Sequence, residues 1–179
     1  MKATGIVRRI DDLGRVVIPK EIRRTMRIRE GDPLEIFTDK DGEVIFKKYS
    51  PMNELSDFAV QMCDTLGKTS GYPTAITDRD NIIAVCGAPK RDLLGKQISG
   101  ELEGVMNGRQ IFQYQPGGER VVLSGSTDKY SALIAAPVLT EGDVMGCVIF
   151  FGEEDKATTE TEYKLAQTVA GFLGKQMEN

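Results

Sequence analysis

Arg23, Arg24 and Arg27 stand within the short segment "PKEIRRTMR" at 19–27, and their types and spacing suggest a chemistry. A guanidinium group is permanently charged and carries five N–H donors in a rigid fork that matches phosphate or carboxylate oxygens two at a time. At about 100° per residue, a helix over 19–27 puts Ile22 and Met26 on one thin apolar stripe and the three arginines together on the opposite side. Such a helix holds cations outward. Its chemistry is the binding of an anion rather than the making of a bond.

Other chemistries find little support. The chain has no histidine, which removes the commonest general base and metal ligand and with them hydrolase triads and most zinc sites. No catalytic residue and no metal ligand is assigned. Cys63, Cys86 and Cys147 are odd in number and widely spaced, which argues against a disulfide framework. A redox cysteine needs a lowered pKa and a resolving partner. Cys147 lies inside the buried-strand run "VMGCVIFF" and Cys63 near the apolar stripe of a helix. Cys86, before Gly87 at a strand end, is the one candidate for exposure. All three are expected to be structural.

Charge is distributed unevenly. Residues 1–30 hold nine Lys+Arg against four Asp+Glu, and residues 1–50 hold 12 against 9. The other 129 residues hold 11 against 18. A basic end on an acidic body suggests that this end meets a polyanion. No run approaches the roughly 18 apolar residues that span a bilayer, and "MKATGIVRRIDD" lacks the apolar core of a signal peptide. A cytoplasmic protein with no membrane partner is expected.

The elements that must position the arginines read, in order, as strand (5–10), strand (14–18), helix (19–27), strand (34–38) and strand (43–49), with turns at "DDLG" and "DKDG". Pro19 suits the first helical position, where its missing N–H costs nothing. Fifty residues without a cysteine or histidine make a small core, and the last two strands are apolar on both faces. An obligate dimer with shared strands is predicted. "KKYSPMNEL" reads as a junction with Asn53 as a helix cap. The domains are therefore 1–50, a linker at 51–53, and 54–179.

The second unit reads as an opening helix through Met52 and Leu66, a hairpin over 74–77 and 82–86, and a glycine-broken helical stretch over 88–108. Strands follow at 111–114, 120–124, 131–139 and 143–152. A last helix begins at the capping box Thr159/Glu162 and runs to about Met177. This is an α+β unit, an antiparallel sheet flanked by helices. The last helix carries two apolar rows, one through Ala166, Ala170 and Leu173 and one through Leu165, Val169 and Phe172. One row suits the sheet; the other meets either the first helix of the same chain or a partner's. The polar stretch 114–131 has the composition of a loop that lines or closes a pocket.

The first fifty-one residues, with "TGIVR", "LGRVVIPKEIRRT" and "EGDPLEIF" leading to "KKY", resemble the AbrB-type DNA-binding domain of bacterial transition-state regulators. The unit that follows, with its chain end "VAGFLGKQMEN", is similar to a GAF-type sensory module. The first resemblance implies a swapped-hairpin dimer whose DNA face uses Arg8, Arg15, Arg23 and Arg24, with weaker candidates at Lys2, Arg9, Arg27 and Lys47. The two together imply a regulator of sporulation genes, activating some and repressing others. They also imply a homotetramer joined through the terminal helices of the GAF-like unit, with double-stranded DNA as partner. No cofactor is assigned, although a GAF-like unit can take a small-molecule ligand. Two other classes remain open at this point: an antitoxin-like DNA and partner binder, and a GAF-type redox enzyme, like free methionine sulfoxide reductase, working through Cys86.

Overall fold

The computed structural model describes residues 4–178. The chain divides into two compact units, Met1–Tyr49 and Ser50–Asn179.

In the first unit Asp11–Gly14 forms a tight turn, closed by the Gly14 N–H donating to the Asp11 carbonyl (3.0 Å) and the Asp11 N–H donating to the Arg15 carbonyl (3.0 Å). A helix, α1 (Lys20–Met26), follows. Then come two antiparallel strands, β1 (Leu34–Thr38) and β2 (Val44–Lys48), in the register Leu34 to Lys48 and Thr38 to Val44. Residues 5–10 and 14–18, expected as strands, enter no ladder. A strand exists only where a second backbone supplies the hydrogen bonds, and a single chain offers these segments none. Most of their apolar side chains stay in solvent, Val7 at 85% and Val17 at 70% exposed, while Ile18 is half-buried. Pro19 also lies one residue earlier than expected, as the N-cap of α1, where its carbonyl accepts from the Arg23 N–H (2.9 Å).

In the second unit the expected opening helix is two: α2 (Pro51–Glu54) and α3 (Ser56–Ser70). Ser50 rather than Asn53 takes the cap position, and Asn53 lies inside α2. A sheet follows, built from β3 (Thr74–Thr77), β4 (Ile82–Cys86), β5 (Phe112–Gln113), β6 (Val122–Ser124), β7 (Thr127–Thr140) and β8 (Asp143–Gly152). Its order is β4-β3-β8-β7-β5, antiparallel throughout, with β6 also on β7. Between β4 and β5 lie α4 (Lys90–Leu93) and α5 (Gly100–Gly108), and α6 (Glu160–Gln176) closes the chain.

Alternation along the central strands sorts the core into two layers. On β8, Cys147, Ile149 and Phe151 face the layer shared with Leu93, Leu102 and Met106 of α4 and α5. Val148 and Phe150 face the layer of Ala59, Cys63 and Leu66 of α3 and Ala166, Ala170 and Leu173 of α6. Within 114–131 the strand expected at 120–124 forms as β6, and the surrounding residues, expected to line or close a pocket, instead contribute to the core. Val121, Leu123 and Tyr130 are buried, and the Tyr130 hydroxyl donates to Asp92 (2.9 Å). Those apolar side chains pull the polar residues around them into β6 and β7.

α6 begins at the expected capping box, the Thr159 N–H donating to the Glu162 carboxylate (2.7 Å). The Thr159 hydroxyl holds that carboxyl below its ordinary value of 4.5. Thr159→Ala removes the N-cap oxygen that accepts from the Thr161 N–H (3.3 Å) and should cost about 1 kcal/mol, a melting shift of about 3 °C in calorimetry at pH 7. A depressed carboxyl gives stability that is complete above its unfolded value and lost as pH falls through its folded one. The difference between the two proteins should accordingly shrink at pH 3.

A candidate nucleic-acid interface

α1 is exposed, with no buried residue, and is stopped by Arg27 in the left-handed conformation (φ 51). The Ile28 N–H returns to the Arg23 carbonyl (2.8 Å). The Lys48 ammonium donates to the Arg27 carbonyl (2.9 Å) and ties the end of α1 to β2. Arg23 and Arg24 lie on the last turn of this helix, both exposed, and neither makes a side-chain hydrogen bond or ion pair among the described residues. Two adjacent guanidinium groups with their full donor sets in solvent can take an anion of phosphate geometry without first breaking an internal pair.

Arg15 is placed differently. Its Nε donates to the Asp11 carboxylate at 2.7 Å. The same carboxylate accepts from the Arg15 and Leu13 backbone N–H groups at 2.8 and 3.0 Å. The Arg15 backbone N–H first, and its guanidinium second, hold the Asp11 carboxyl below its ordinary value of 3.8. Arg8 is exposed on the segment before the turn, its guanidinium reaching only the Val7 carbonyl (3.5 Å) among the described residues.

Of the weaker candidates, Arg9 is exposed beside Arg8, and Arg27 is half-buried at the helix stop. Lys47 lies over the Phe37 ring at 4.5 Å. Lys2 lies outside the described residues. Sequence reasoning missed two of the positioning groups, Asp11 and Lys48. Asp11 was visible as the first residue of "DDLG", four before Arg15.

The second unit offers no reactive thiol. The Cys63 Sγ donates to the Thr74 carbonyl (3.1 Å), and burial pushes this thiol up to about 12. Burial also raises Cys86, with Asp64 adding to the effect, and raises the fully buried Cys147 further. All three are protonated at neutral pH. A groove of about 470 Å³ opens where β8 ends, lined by residues including Tyr72, Pro73, Leu133, Phe151 and Lys156 and by none of 114–131. Among the described residues no cluster of His, Cys, Asp and Glu could hold a metal ion, and no helix is long and apolar enough to cross a membrane.

Residues 54–178 match the family described as "Stage V sporulation protein T C-terminal, transcription factor". Residues 7–53 match the family described as "Antidote-toxin recognition MazE, bacterial antitoxin". The chain is 52% identical over 178 residues to stage V sporulation protein T of Bacillus subtilis, covering 99% of both. It is 63% identical over 51 residues to the transition state regulatory protein AbrB of the same organism, which covers 28% of this chain and 52% of that protein. The second unit has the fold of the GAF domain from an Acinetobacter phosphoenolpyruvate-protein phosphotransferase. That likeness has a TM-score of 0.54 at 14% identity and covers 73% of this chain and 84% of that one. An AbrB-type first unit, a GAF-like second unit and a match along nearly the whole length place the chain in the stage V sporulation protein T family, a family of transcription factors rather than enzymes.

Proposed function

We propose that the chain binds double-stranded DNA through its first unit and regulates sporulation genes in the cytoplasm, as activator at some promoters and repressor at others. The observation that carries this reading is the exposed pair Arg23–Arg24 on α1, charged and unpaired among the described residues. In this reading Arg8 and Arg15, which the AbrB-type resemblance names, contribute to the same DNA face. A helix of seven residues is short for reading many base pairs, so phosphate positioning and DNA shape supply much of the selectivity, and a loose consensus results.

Assembly is part of the reading. In the first unit Ile10, Leu13, Ile36 and Val44 are 58–70% exposed. An isolated two-stranded ribbon is marginally stable in water. A second copy interleaving its own 5–10 and 14–18 segments would cover these residues and complete the ladders, forming a homodimer through 1–50 and doubling the arginine face. On the second unit, Leu165 and Val169 of α6 are half-buried at the edge of the core layer, and Phe172 is 42% exposed and 5.6 Å from the Phe58 ring of α3. This pair of helices joins two dimers into a homotetramer.

An anisotropy titration of labelled duplex with the full chain tests the reading. Binding should weaken log-linearly with salt at a slope steeper than about −4, the signature of several released counterions. A slope near zero would sink it.

A further inference from the structure

We propose that Asp11 is a positioning residue of the DNA face, aiming Arg15 at its target and limiting sequence-independent binding. The inference rests on the reading above that Arg15 faces DNA. The Asp11 carboxylate is not a loose surface partner. One oxygen accepts from two backbone N–H groups, Leu13 at 3.0 Å and Arg15 at 2.8 Å, while the other accepts from the Arg15 Nε at 2.7 Å. The main chain of the same residue closes the turn through Gly14 and through the Arg15 carbonyl. The anchor is thus locked at both ends before Arg15 meets a ligand.

A guanidinium offers two flat edges for paired acceptors, a side edge that includes Nε and an end edge made of the two Nη groups. With Nε held by Asp11, the end edge is the one that remains. That edge can form two bonds with the O6 and N7 of guanine, or with two phosphate oxygens, from one fixed direction. Freed from Asp11, the same arginine would reach neighbouring phosphates through either edge. The carboxylate also sets a negative charge beside the cation, which weakens attraction to any polyanion whatever its sequence. Asp11 therefore trades raw affinity for discrimination.

Asp11→Asn in the full chain separates the two roles, because the amide oxygen can still accept the backbone N–H groups while the charge and the bond to Nε are lost. The probes are a duplex enriched from a randomised pool by the intact protein and a scrambled duplex of the same composition. Affinity for the scramble should rise about threefold to tenfold at 100 mM salt. The salt slope should steepen by up to about 1.8 for the two subunits of a dimer. The ratio of enriched to scrambled affinity should fall about tenfold, within the range that one bidentate contact supplies. In an Arg15→Ala background the substitution should leave that ratio unchanged. If Asp11→Asn lowers the melting temperature, Asp11→Ser, which keeps a turn-capping oxygen, is read in its place. An unchanged ratio in the folded variant, with Arg15→Ala still weakening binding, overturns the inference and leaves the DNA reading standing. No effect of Arg15→Ala overturns the part of that reading on which the inference rests.

Discussion

Replacing Gly146 with alanine should destabilise the second unit by about 3–4 kcal/mol and lower its melting temperature by about 10 °C. Gly146 lies on β8 beside β3, where Thr77 pairs with Cys147. A Cβ at this position would fall far inside van der Waals distance of the Thr77 carbonyl oxygen and also meet the Asp78 Cα at 3.4 Å. Neither group can withdraw. Thr77 is fully buried and held between β4 and β8 at a register shift, and the Asp78 side chain caps the turn that follows through the Asp80 and Asn81 N–H groups, both at 2.7 Å. Relief therefore requires the central ladder to open, which combines overpacking strain with a buried carbonyl left short of a partner. Gly104 on α5 is the control. A Cβ there meets nothing within 4 Å, so Gly104→Ala should be neutral or stabilise by up to about 1 kcal/mol. Calorimetry of the full chain reads both, and equal melting of the two variants would show that the close approach at Gly146 is not confining.

A larger effect on function is expected from the outer face of α6. Leu165→Glu combined with Phe172→Glu places two carboxylates on a surface whose apolar side chains Val60 and Phe172 are 39% and 42% exposed. Both substituted residues lie outside the fully buried row Ala166, Leu173 and Gly174, but Leu165 is half-buried against the core and Phe172 meets Phe58. The pair should therefore cost each chain about 1–3 kcal/mol, and calorimetry should confirm that the chains still fold. The assembly should not survive. Under the proposed assembly, sedimentation should show four chains for the parent and two for the variant. Two dimers held together bind a DNA carrying two sites at a high effective concentration, and their separation forfeits about a hundredfold or more in apparent affinity. Affinity for a short duplex with one site should stay the same. A variant that remains tetrameric would move the dimer–dimer contact to another surface.

Legibility in the sequence followed what each signal depends on. Strand 143–152 emerged as β8 with those bounds because a continuous apolar run between polar turns has one solution within its own chain. The capping box of α6 was equally local. The break at Leu55 between α2 and α3 was hidden, since no glycine or proline marks it and its backbone (φ −95, ψ 14) is open to any residue. The helical stretch 88–108 splits where Gly95 (φ 72) and the bridge from Ile98 to Ser124 interrupt it. Segments 5–10 and 14–18 have strand composition without a ladder, because composition records what a segment prefers and cannot name the chain that supplies its partner. The cationic side of α1 was readable from helical spacing alone. Arg15 was readable only through resemblance, and its bond to Asp11 spans a turn whose closure a linear sequence does not display.

The most direct test of the central claim is a salt titration of DNA affinity for the intact protein and for the Arg23→Ala/Arg24→Ala variant, with oligomeric state checked in parallel. Two arginines on each of two chains give up to four phosphate contacts per dimer, so the log–log slope should flatten by as much as about 3.6 while the assembly persists. An unchanged slope in an intact assembly would mean that α1 does not face DNA, and would contradict the account.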